Sequence, residues 1–250
     1  MQNGKTVTTG LVLRVTETKE ADKILTVLTP DMGKIPLIAR GARRKNSRIA
    51  AASQLLAYSE LTLYKRGNWH MLDEASTLEL FDGVRQDIVL LSLASYFAEA
   101  AEAVCAEETT SPEILSLLLN ALYALCYLHK EPRLVKAAFQ FRLMALAGFE
   151  PLASGCAVCG REEPEAPMLD VVHGVVHCGG CKRLGGLSIP LTAAGLAALR
   201  HVLYCDSRRL YGFTLEPEAL RELDHAGEAF IAGQLERSFR TLDYYKSLLI

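Results

Sequence analysis

ILTVLTPDMGKIPLIA, residues 24–39, contains two β-rich runs separated by a turn signal. The runs Ile24–Thr29 and Lys34–Ala39 are rich in β-branched and aliphatic residues, which favour strands. Pro30-Asp31-Met32-Gly33 stands between them, and proline, aspartate and glycine are typical of tight turns. The stretch therefore predicts a β-hairpin, in which two antiparallel strands are joined by a short turn.

The sequence on either side of this hairpin adds three more strand signals. Apolar residues alternate with other side chains from Leu11 to Val15 and again over Glu60–Tyr64. After a turn signal at Gly67-Asn68, residues 69–76 form a fifth candidate strand. Five short strands within residues 1–80 suit a small barrel, and the five-stranded Greek-key barrel called the OB-fold is the natural candidate. An SH3-like barrel remains open at this point.

The pattern changes after residue 80, where apolar residues recur at helical spacing. Ser111-Pro112-Glu113 is a typical helix start, because hydroxyl residues cap helices and proline favours the first helical position. Another helix is predicted from Pro132 towards Gly148, so that three helices fill residues 83–148. Two more are predicted after the cysteine region, one beginning after Thr192 and one near Pro217.

These signals predict an α+β protein of several domains. We expect an N-terminal five-stranded OB-fold barrel over residues 1–80, followed by an all-α domain over residues 81–250. Residues 155–186 are rich in glycine and cysteine and poor in helix signals. We interpret them as a metal-binding module inserted into the helical domain.

The composition excludes several classes of protein. The 250 residues are 50% hydrophobic and carry a net charge of −2, which is too apolar and too weakly charged for a disordered chain. The uncharged stretch Ile114–Leu128 has 15 residues, short of the roughly 20 that span a bilayer, so no membrane segment is expected. Met1-Gln2-Asn3-Gly4-Lys5 lacks the apolar run of a secretory signal, and we expect a cytoplasmic protein.

Four of the seven cysteines fall into two CxxC motifs, Cys156-Ala157-Val158-Cys159 and Cys178-Gly179-Gly180-Cys181, separated by 18 residues. Each motif aims two sulfurs at one ion, and two motifs complete a tetrahedral thiolate site. The spacing predicts one structural Zn²⁺ rather than a CxxC redox pair, and four protein ligands leave no open position for catalysis. His177 is the one alternative ligand. The remaining thiols are expected in the core, namely Cys105, Cys126 and Cys205.

Basic residues concentrate near the N-terminus, where residues 1–80 hold 12 basic and 8 acidic side chains. No acidic residue occurs from Met32 to Ser59. Gly41, Asn46 and Ser47 predict a loop after the third strand, and a positive loop on a barrel is suited to a phosphate backbone. The alternative is an ordinary solvated charge run. The candidate nucleic-acid contacts of this segment are Lys34, Arg40, Arg43, Arg44, Lys45 and Arg48.

The last predicted hairpin combines basic and aromatic side chains. Lys65 and Arg66 are further candidates for DNA contact, and Tyr64 and Trp69 for base stacking. Trp69, the only tryptophan, could equally belong to the barrel core. The motifs GxSxG, GxxxxGK[ST], HExxH and GxGxxG do not occur in the sequence, so we do not expect an enzyme.

Taken in order, these features resemble the bacterial recombination mediator family RecO. The resemblance is carried by TGLVLRVTETKEADKILTVLTPDMGKIPLIARGARRKNSR (residues 9–48), FQFRLMALAGFEP (139–151), CAVCG (156–160) and RSFRTLDYYKSLL (237–249). TPDMGK followed by GARR, and GFEP followed by CxxCG, are its most specific parts. With four zinc cysteines, the chain resembles the zinc-bearing branch of that family.

The resemblance implies a function as well as a fold. It implies binding of single- and double-stranded DNA, annealing of complementary strands, and loading of RecA onto DNA covered by single-strand binding protein (SSB), together with the partner RecR. It also implies a site on the helical domain for the acidic SSB tail, for which Arg133, Lys136 and Arg142 are candidates by charge and location. Two other functions remain open, a zinc-ribbon adaptor that binds only proteins and an OB-fold RNA-binding factor.

Overall fold

The computed structural model describes residues 4–182 and 185–249. The chain divides into two compact units. The first unit runs to Cys126 and also takes in the C-terminal segment from Phe239, whereas the second unit is Tyr127–Ser238. This division differs from the scheme of residues 1–80, 81–250 and 155–186. That scheme stays a prediction, because compactness does not establish which segments fold independently.

The first unit begins with a closed five-stranded barrel, which confirms the predicted fold. The strands neighbour one another in the order β1-β2-β3-β5-β4, and β4 pairs with β1 to close the barrel. β3 and β5 run parallel, with Leu37 opposite His70, and the other pairs are antiparallel. This is the Greek-key order of the OB-fold, so the SH3-like alternative falls away. The strands are β1 (Thr6–Thr18), β2 (Asp22–Thr29), β3 (Gly33–Ala39), β4 (Tyr58–Arg66) and β5 (Trp69–Glu79).

β1 is long because it pairs on both sides. Residues from Thr6 to Leu11 pair with β4, residues from Leu11 onward pair with β2, and the register shifts between Val12 and Arg14. Gly10 lies where the strands approach closely, since a Cβ atom there would stand 2.5 Å from Cγ1 of Val27. Alternate apolar side chains fill the barrel interior, among them Leu25, Val27, Ile35, Leu37, Leu61 and Leu63.

Helices complete the described part of the first unit: α1 (Asp82–Arg85), α2 (Ile88–Val104), α3 (Pro112–Cys126) and, at the C-terminus, α7 (Arg240–Ser247). Asp87 caps α2, because its carboxylate accepts a hydrogen bond from the backbone N–H of Val89 at 2.8 Å. α7 was not predicted from the sequence. It packs on α2, where the Glu99 carboxylate accepts from the Thr241 N–H at 3.1 Å and Tyr96 meets Phe239 edge to face.

The second unit contains α4 (Pro132–Leu146), α5 (Ala193–Tyr204) and α6 (Pro217–Leu235). All three begin where the sequence predicted, and α4 ends before Gly148, which adopts a positive φ of 91°. Phe141 of α4 stacks on Phe230 of α6 with ring centroids 5.7 Å apart. Between α4 and α5 lies a three-stranded sheet in the order β7-β6-β8. Its strands are β6 (Pro167–Asp170), β7 (Val175–Cys178) and β8 (Ser188–Pro190).

Across residues 4–182 and 185–249, no helix has both the length and the apolar character that crossing a bilayer requires.

Candidate functional site

The four CxxC cysteines converge on one point in the second unit, where their sulfur atoms all lie within 4.8 Å of one another. Sγ of Cys156 is 3.9 Å from Sγ of Cys181, and Sγ of Cys159 is 3.9 Å from Sγ of Cys178. Four sulfurs arranged tetrahedrally around zinc at 2.3 Å are separated by about 3.8 Å. Disulfide sulfurs would be only about 2.05 Å apart. The cluster therefore has the size of a tetrahedral metal site, and the geometry disfavours a redox pair.

Backbone turns on both CxxC motifs hold the sulfurs in this arrangement. The Gly160 N–H donates to the Cys156 carbonyl at 2.9 Å, with Gly160 at a positive φ of 75° that favours glycine. On the other motif, the Gly179 N–H donates to the Ala166 carbonyl at 2.9 Å. A side chain at Gly179 would bring a Cβ atom within 3.0 Å of the same carbonyl oxygen. Gly160 therefore allows the turn of the first motif, and Gly179 allows the close approach of the second motif to the residue before β6.

The thiols differ strongly in their affinity for protons. Burial raises the pKa of Cys156, but backbone N–H groups of Cys159, Cys178 and Val158 donate to its sulfur and bring the pKa down to about 6. The pKa of Cys181 is raised to about 12 by its hydrogen bond with Cys159, by burial and by the neighbouring negative sulfurs. Keeping all four sulfurs deprotonated would therefore require a cation among them.

His177 cannot serve as a fifth ligand or as a replacement for one of the sulfurs. Its Nδ1 is 2.9 Å from the Cys178 carbonyl oxygen, and its Nε2 is 2.9 Å from the hydroxyl of Ser188. Both ring nitrogens are thus engaged away from the cluster. Cys105 and Cys126 are buried and Cys205 is half-buried, and burial raises the pKa of Cys105 above its ordinary value. These positions suit structural thiols.

The basic residues of the barrel lie on the connection between β3 and β4, and we call residues 40–48 the basic loop. Ala42 and Ile49 point into the barrel core and anchor this segment. Most side chains between these two anchors are exposed, and the segment consists of turns without a strand or a helix. The exposed cations of the basic loop are Arg40, Arg43, Arg44, Lys45 and Arg48.

The turn between β1 and β2 supports the basic loop from one side. Oδ1 of Asp22 accepts from the Gly41 N–H at 2.8 Å, and the Ala21 carbonyl accepts from the Arg43 N–H at 3.0 Å. The Arg43 guanidinium also forms an ion pair with Glu17 at 3.1 Å. Arg43 is therefore partly neutralised. Within the part of the chain that the structure describes, the charged groups of Arg40, Arg44, Lys45 and Arg48 have no ion-pair partner.

Two adjoining concavities flank the basic loop and share Arg40, Gly41 and Arg44. One, of about 330 Å³, is completed by Asn46, Ser47, Arg48, Ile49, Leu72 and Asp73. The other, of about 400 Å³, is completed by Lys19 of the β1–β2 turn and by Asp22 at the start of β2. We call the two together the loop groove. Sequence reasoning missed Lys19, because only the barrel topology brings this turn beside the basic loop.

The other predicted DNA contacts lie elsewhere on the barrel. Nζ of Lys34 donates to the Glu102 carbonyl near the end of α2 at 2.8 Å, and Lys34 does not line the loop groove. Lys65, Arg66 and Trp69 are exposed on the β4–β5 hairpin, and Trp69 is 44% exposed, so it does not belong to the core. The β3–β5 pairing sets His70 opposite Leu37, so Trp69 at the start of β5 lies level with the middle of β3, and it does not line the loop groove.

Comparisons with known proteins cover both units. Residues 1–81 match the family model "Recombination protein O N terminal", and residues 85–243 match "Recombination protein O C terminal". The chain belongs to the recombination protein O (RecO) family. A protein named DNA repair protein RecO from Desulforudis audaxviator is 31% identical over 241 residues, covering 96% of each chain. Proteins of the same name from Symbiobacterium thermophilum and Acetivibrio thermocellus are 30% and 28% identical, again over 96% of each chain.

Three cations of this RecO-family chain were candidates for binding the acidic SSB tail, and two of them already bind groups within the second unit. Lys136 is 2% exposed and forms ion pairs with Asp224 at 3.1 Å and with Glu228. Nη1 of Arg142 donates to the Leu203 carbonyl at 2.9 Å, and Nη2 bonds to the Cys205 carbonyl. The choice of Lys136 and Arg142 was therefore wrong, because both hold the helices of the second unit together. Arg133 is exposed.

Arg200 of α5 has a structural role that the sequence around it did not indicate. Its guanidinium donates to the carbonyls of Ala153 and Glu162, each at 2.7 Å, and pairs with Glu163 at 2.8 Å. These groups flank the first CxxC motif on both sides. Arg200 consequently ties α5 to the segment that supplies Cys156 and Cys159.

Proposed function

We propose that this chain is a non-enzymatic DNA-binding recombination mediator that acts in recombinational DNA repair. The observation that carries the proposal is the loop groove on the OB-fold barrel, where Arg40, Arg44 and Arg48 line one surface without carboxylate partners among the described residues. Such a surface binds phosphates of single- or double-stranded DNA without reading base edges, and binding releases counterions. The names of the relatives support a role in DNA repair.

Strand annealing follows from the same surface. Two complementary strands repel each other through their phosphates, and the unpaired cations of the basic loop would screen that repulsion while leaving the bases free to pair. The exposed β4–β5 hairpin supplies a second kind of contact. Trp69 and the half-buried Tyr64 offer ring faces for stacking with single-stranded bases, next to Lys65 and Arg66.

The four-cysteine cluster would hold one Zn²⁺ with a structural role. A closed set of four thiolates gives the ion no position for substrate, so the metal contributes folding energy instead of chemistry. The cluster ties β7 to the segment that Arg200 binds. We expect its loss to loosen the second unit without directly removing the DNA surface of the barrel.

The mediator function also requires partners. We propose RecR, the C-terminal tail of SSB and, indirectly, RecA, in the bacterial cytoplasm. An acidic tail with an aromatic end would need an apolar pocket with a basic rim, and the exposed Arg133 remains its only candidate from the original three. These partners rest on the family resemblance.

The test is retention on SSB-coated DNA. A labelled single-stranded oligonucleotide, bare or coated with SSB, is titrated with the wild type and with a variant combining Arg40→Gln, Arg44→Gln and Arg48→Gln. The titrations are repeated with RecR present, and the annealing of complementary strands is measured for both proteins. We expect the wild type to bind both forms and anneal complementary strands, and the triple variant to lose both activities.

A control removes an exposed positive charge away from the loop groove. Arg221→Gln changes a residue on α6 that lines neither concavity, so its DNA affinity should stay close to that of the wild type. Wild-type protein that binds no DNA would favour a protein-only adaptor. Strong preference for RNA over DNA of the same sequence would favour an RNA-binding factor.

A further inference from the structure

We propose that the DNA site has two walls, the basic loop and the turn between β1 and β2. Lys19 of the turn contacts a backbone phosphate, and Asp22, which follows the turn, positions the basic loop. This inference rests on the DNA-binding function proposed above and adds two residues to it. The occupant is a phosphate of the nucleic-acid backbone.

Lys19 is placed to reach the same ligand as the arginines of the basic loop. It is exposed, lines the concavity of about 400 Å³ together with Arg40 and Arg44, and makes no ion pair among the residues that the structure describes. The β1–β2 turn and the basic loop are separate in sequence but share this concavity. A backbone passing through it would meet cations from two sides, which fixes its path better than a single charged face.

The acidic groups around the loop groove are Glu17, Glu20, Asp22 and Asp73, and two of them are neutralised by ion pairs. Glu17 pairs with Arg43 at 3.1 Å, and Asp73 pairs with Lys5 at 2.7 Å. Asp22 accepts the Gly41 N–H at 2.8 Å. The loop groove stays positive because its cations outnumber these four carboxylates, the cations being Lys19, Arg40, Arg43, Arg44, Lys45 and Arg48.

Asp22 acts as a positioning residue through that hydrogen bond. Its carboxylate holds Gly41 of the basic loop, while its negative charge opposes a phosphate in the same concavity. The two effects have opposite signs and can be separated by substitution. Asp22→Asn keeps an oxygen acceptor and removes the charge, whereas Asp22→Ala removes both.

The Lys19 test uses the full chain and a labelled single-stranded oligonucleotide across a salt series. Lys19→Gln should weaken binding about two- to fivefold at 0.1 M salt, and should lower the slope of log affinity against log salt by about 0.7. Arg221→Gln, an exposed charge loss on α6 that lines neither concavity, should bind as the wild type.

Lys19→Gly separates binding from folding. Lys19 has a positive φ of 52°, a conformation that glycine adopts freely, so this variant should melt no lower than the wild type and still bind DNA more weakly. If both Lys19 variants bind DNA with the affinity and salt slope of the wild type, the proposal that the β1–β2 turn contacts DNA is overturned. If the Arg40, Arg44 and Arg48 triple variant also binds normally, the proposed DNA site itself fails.

The Asp22 pair tests the positioning role. We expect Asp22→Asn to bind about twofold more tightly than the wild type, because a like charge leaves the site while the loop stays held. Asp22→Ala should bind more weakly than the wild type, even though it removes the same charge. If Asp22→Ala binds as tightly as Asp22→Asn, Asp22 does not position the loop.

Discussion

The basic loop and the helices of the second unit both carry cations, but the two regions use them in opposite ways. In the loop, Arg40, Arg44 and Arg48 are exposed around an open groove and make no ion pair among the described residues. In the second unit, Lys136 is buried between two carboxylates, and the guanidinium of Arg142 donates to backbone carbonyls at the C-terminal end of α5. The loop cations remain available to an external anion, and the helical ones stabilise the fold.

The local sequence around each cation explains this difference. The loop cations stand among Gly41, Asn46 and Ser47, in a segment without acidic residues, so no neighbour in the sequence can neutralise them. Lys136 stands in α4, where every residue from Leu134 to Phe141 is buried. A charged side chain at such a position needs internal partners, because burying an unpaired charge is very costly.

Removing a zinc ligand should have the largest effect. Cys159 is exposed, so Cys159→Ser would cost little stability if no metal were bound. With zinc in the cluster, the variant should lose the ion and melt well below the wild type, since metal binding at structural sites is folding energy. Metal content by mass spectrometry and thermal melting check this expectation. Cys205→Ser serves as the control, and full metal retention by Cys159→Ser would refute the four-cysteine site.

Next in size is the loss of the buried lysine. Lys136→Met leaves Asp224 and Glu228 without their cation and should lower the free energy of unfolding by about 3–5 kcal/mol. The matched change in the loop, Lys45→Met, should shift stability by less than about 0.5 kcal/mol, because Lys45 is exposed. Denaturant unfolding of both variants measures the contrast. Equal losses of stability in Lys136→Met and Lys45→Met would contradict the conclusion that Lys136 stabilises the fold and Lys45 does not.

A smaller effect should appear in the dependence of stability on pH. Burial raises the pKa of Asp224 from 3.8 to about 6, although Lys136 lowers it in part. The folded chain therefore holds this proton more tightly than the unfolded chain does. That contribution is complete below pH 4 and is lost as pH rises towards 6, by up to about 3 kcal/mol. Asp224→Asn should lack this decline when unfolding is measured from pH 4 to 7, and an identical pH profile would exclude the assignment.

The smallest expected effect concerns the hairpin, where the contact is aromatic instead of ionic. Trp69→Ala should weaken single-stranded DNA binding by about 1 kcal/mol with little change in salt slope, because stacking releases no counterions. Trp69 is the only tryptophan, so its fluorescence reports the contact directly. Quenching by oligonucleotide in the wild type is expected, and an unchanged spectrum at saturation would remove Trp69 from the site.

Features encoded locally could be predicted from the sequence. Alternation and turn residues around 24–39 indicated the barrel, Pro132 and Gly148 bracketed α4, and the CxxC spacing identified the cysteine cluster. Each of these signals depends on neighbouring residues or on a stereotyped metal geometry. The family resemblance then added the expected DNA surface and partners, which no local pattern contains.

Features that depend on distant contacts could not be predicted. α7 buries only Leu242 and Tyr245 and relies on Tyr96 and Glu99 of α2, more than a hundred residues earlier. The burial of Lys136 depends on partners in α6, and the position of Lys19 depends on the closed barrel. The exposure of Trp69 likewise depends on hairpin geometry, because the sequence allowed this side chain to point either into the barrel or out to solvent.

The most direct test of the account is the salt dependence of single-stranded DNA binding by the wild type and by the Arg40→Gln, Arg44→Gln, Arg48→Gln variant. Each phosphate contact on a single strand contributes about 0.7 to the slope of log affinity against log salt. We predict that the triple variant binds more weakly and that its slope is smaller by about 2. Equal slopes for the two proteins would contradict the claim that the free cations of the barrel loop hold DNA.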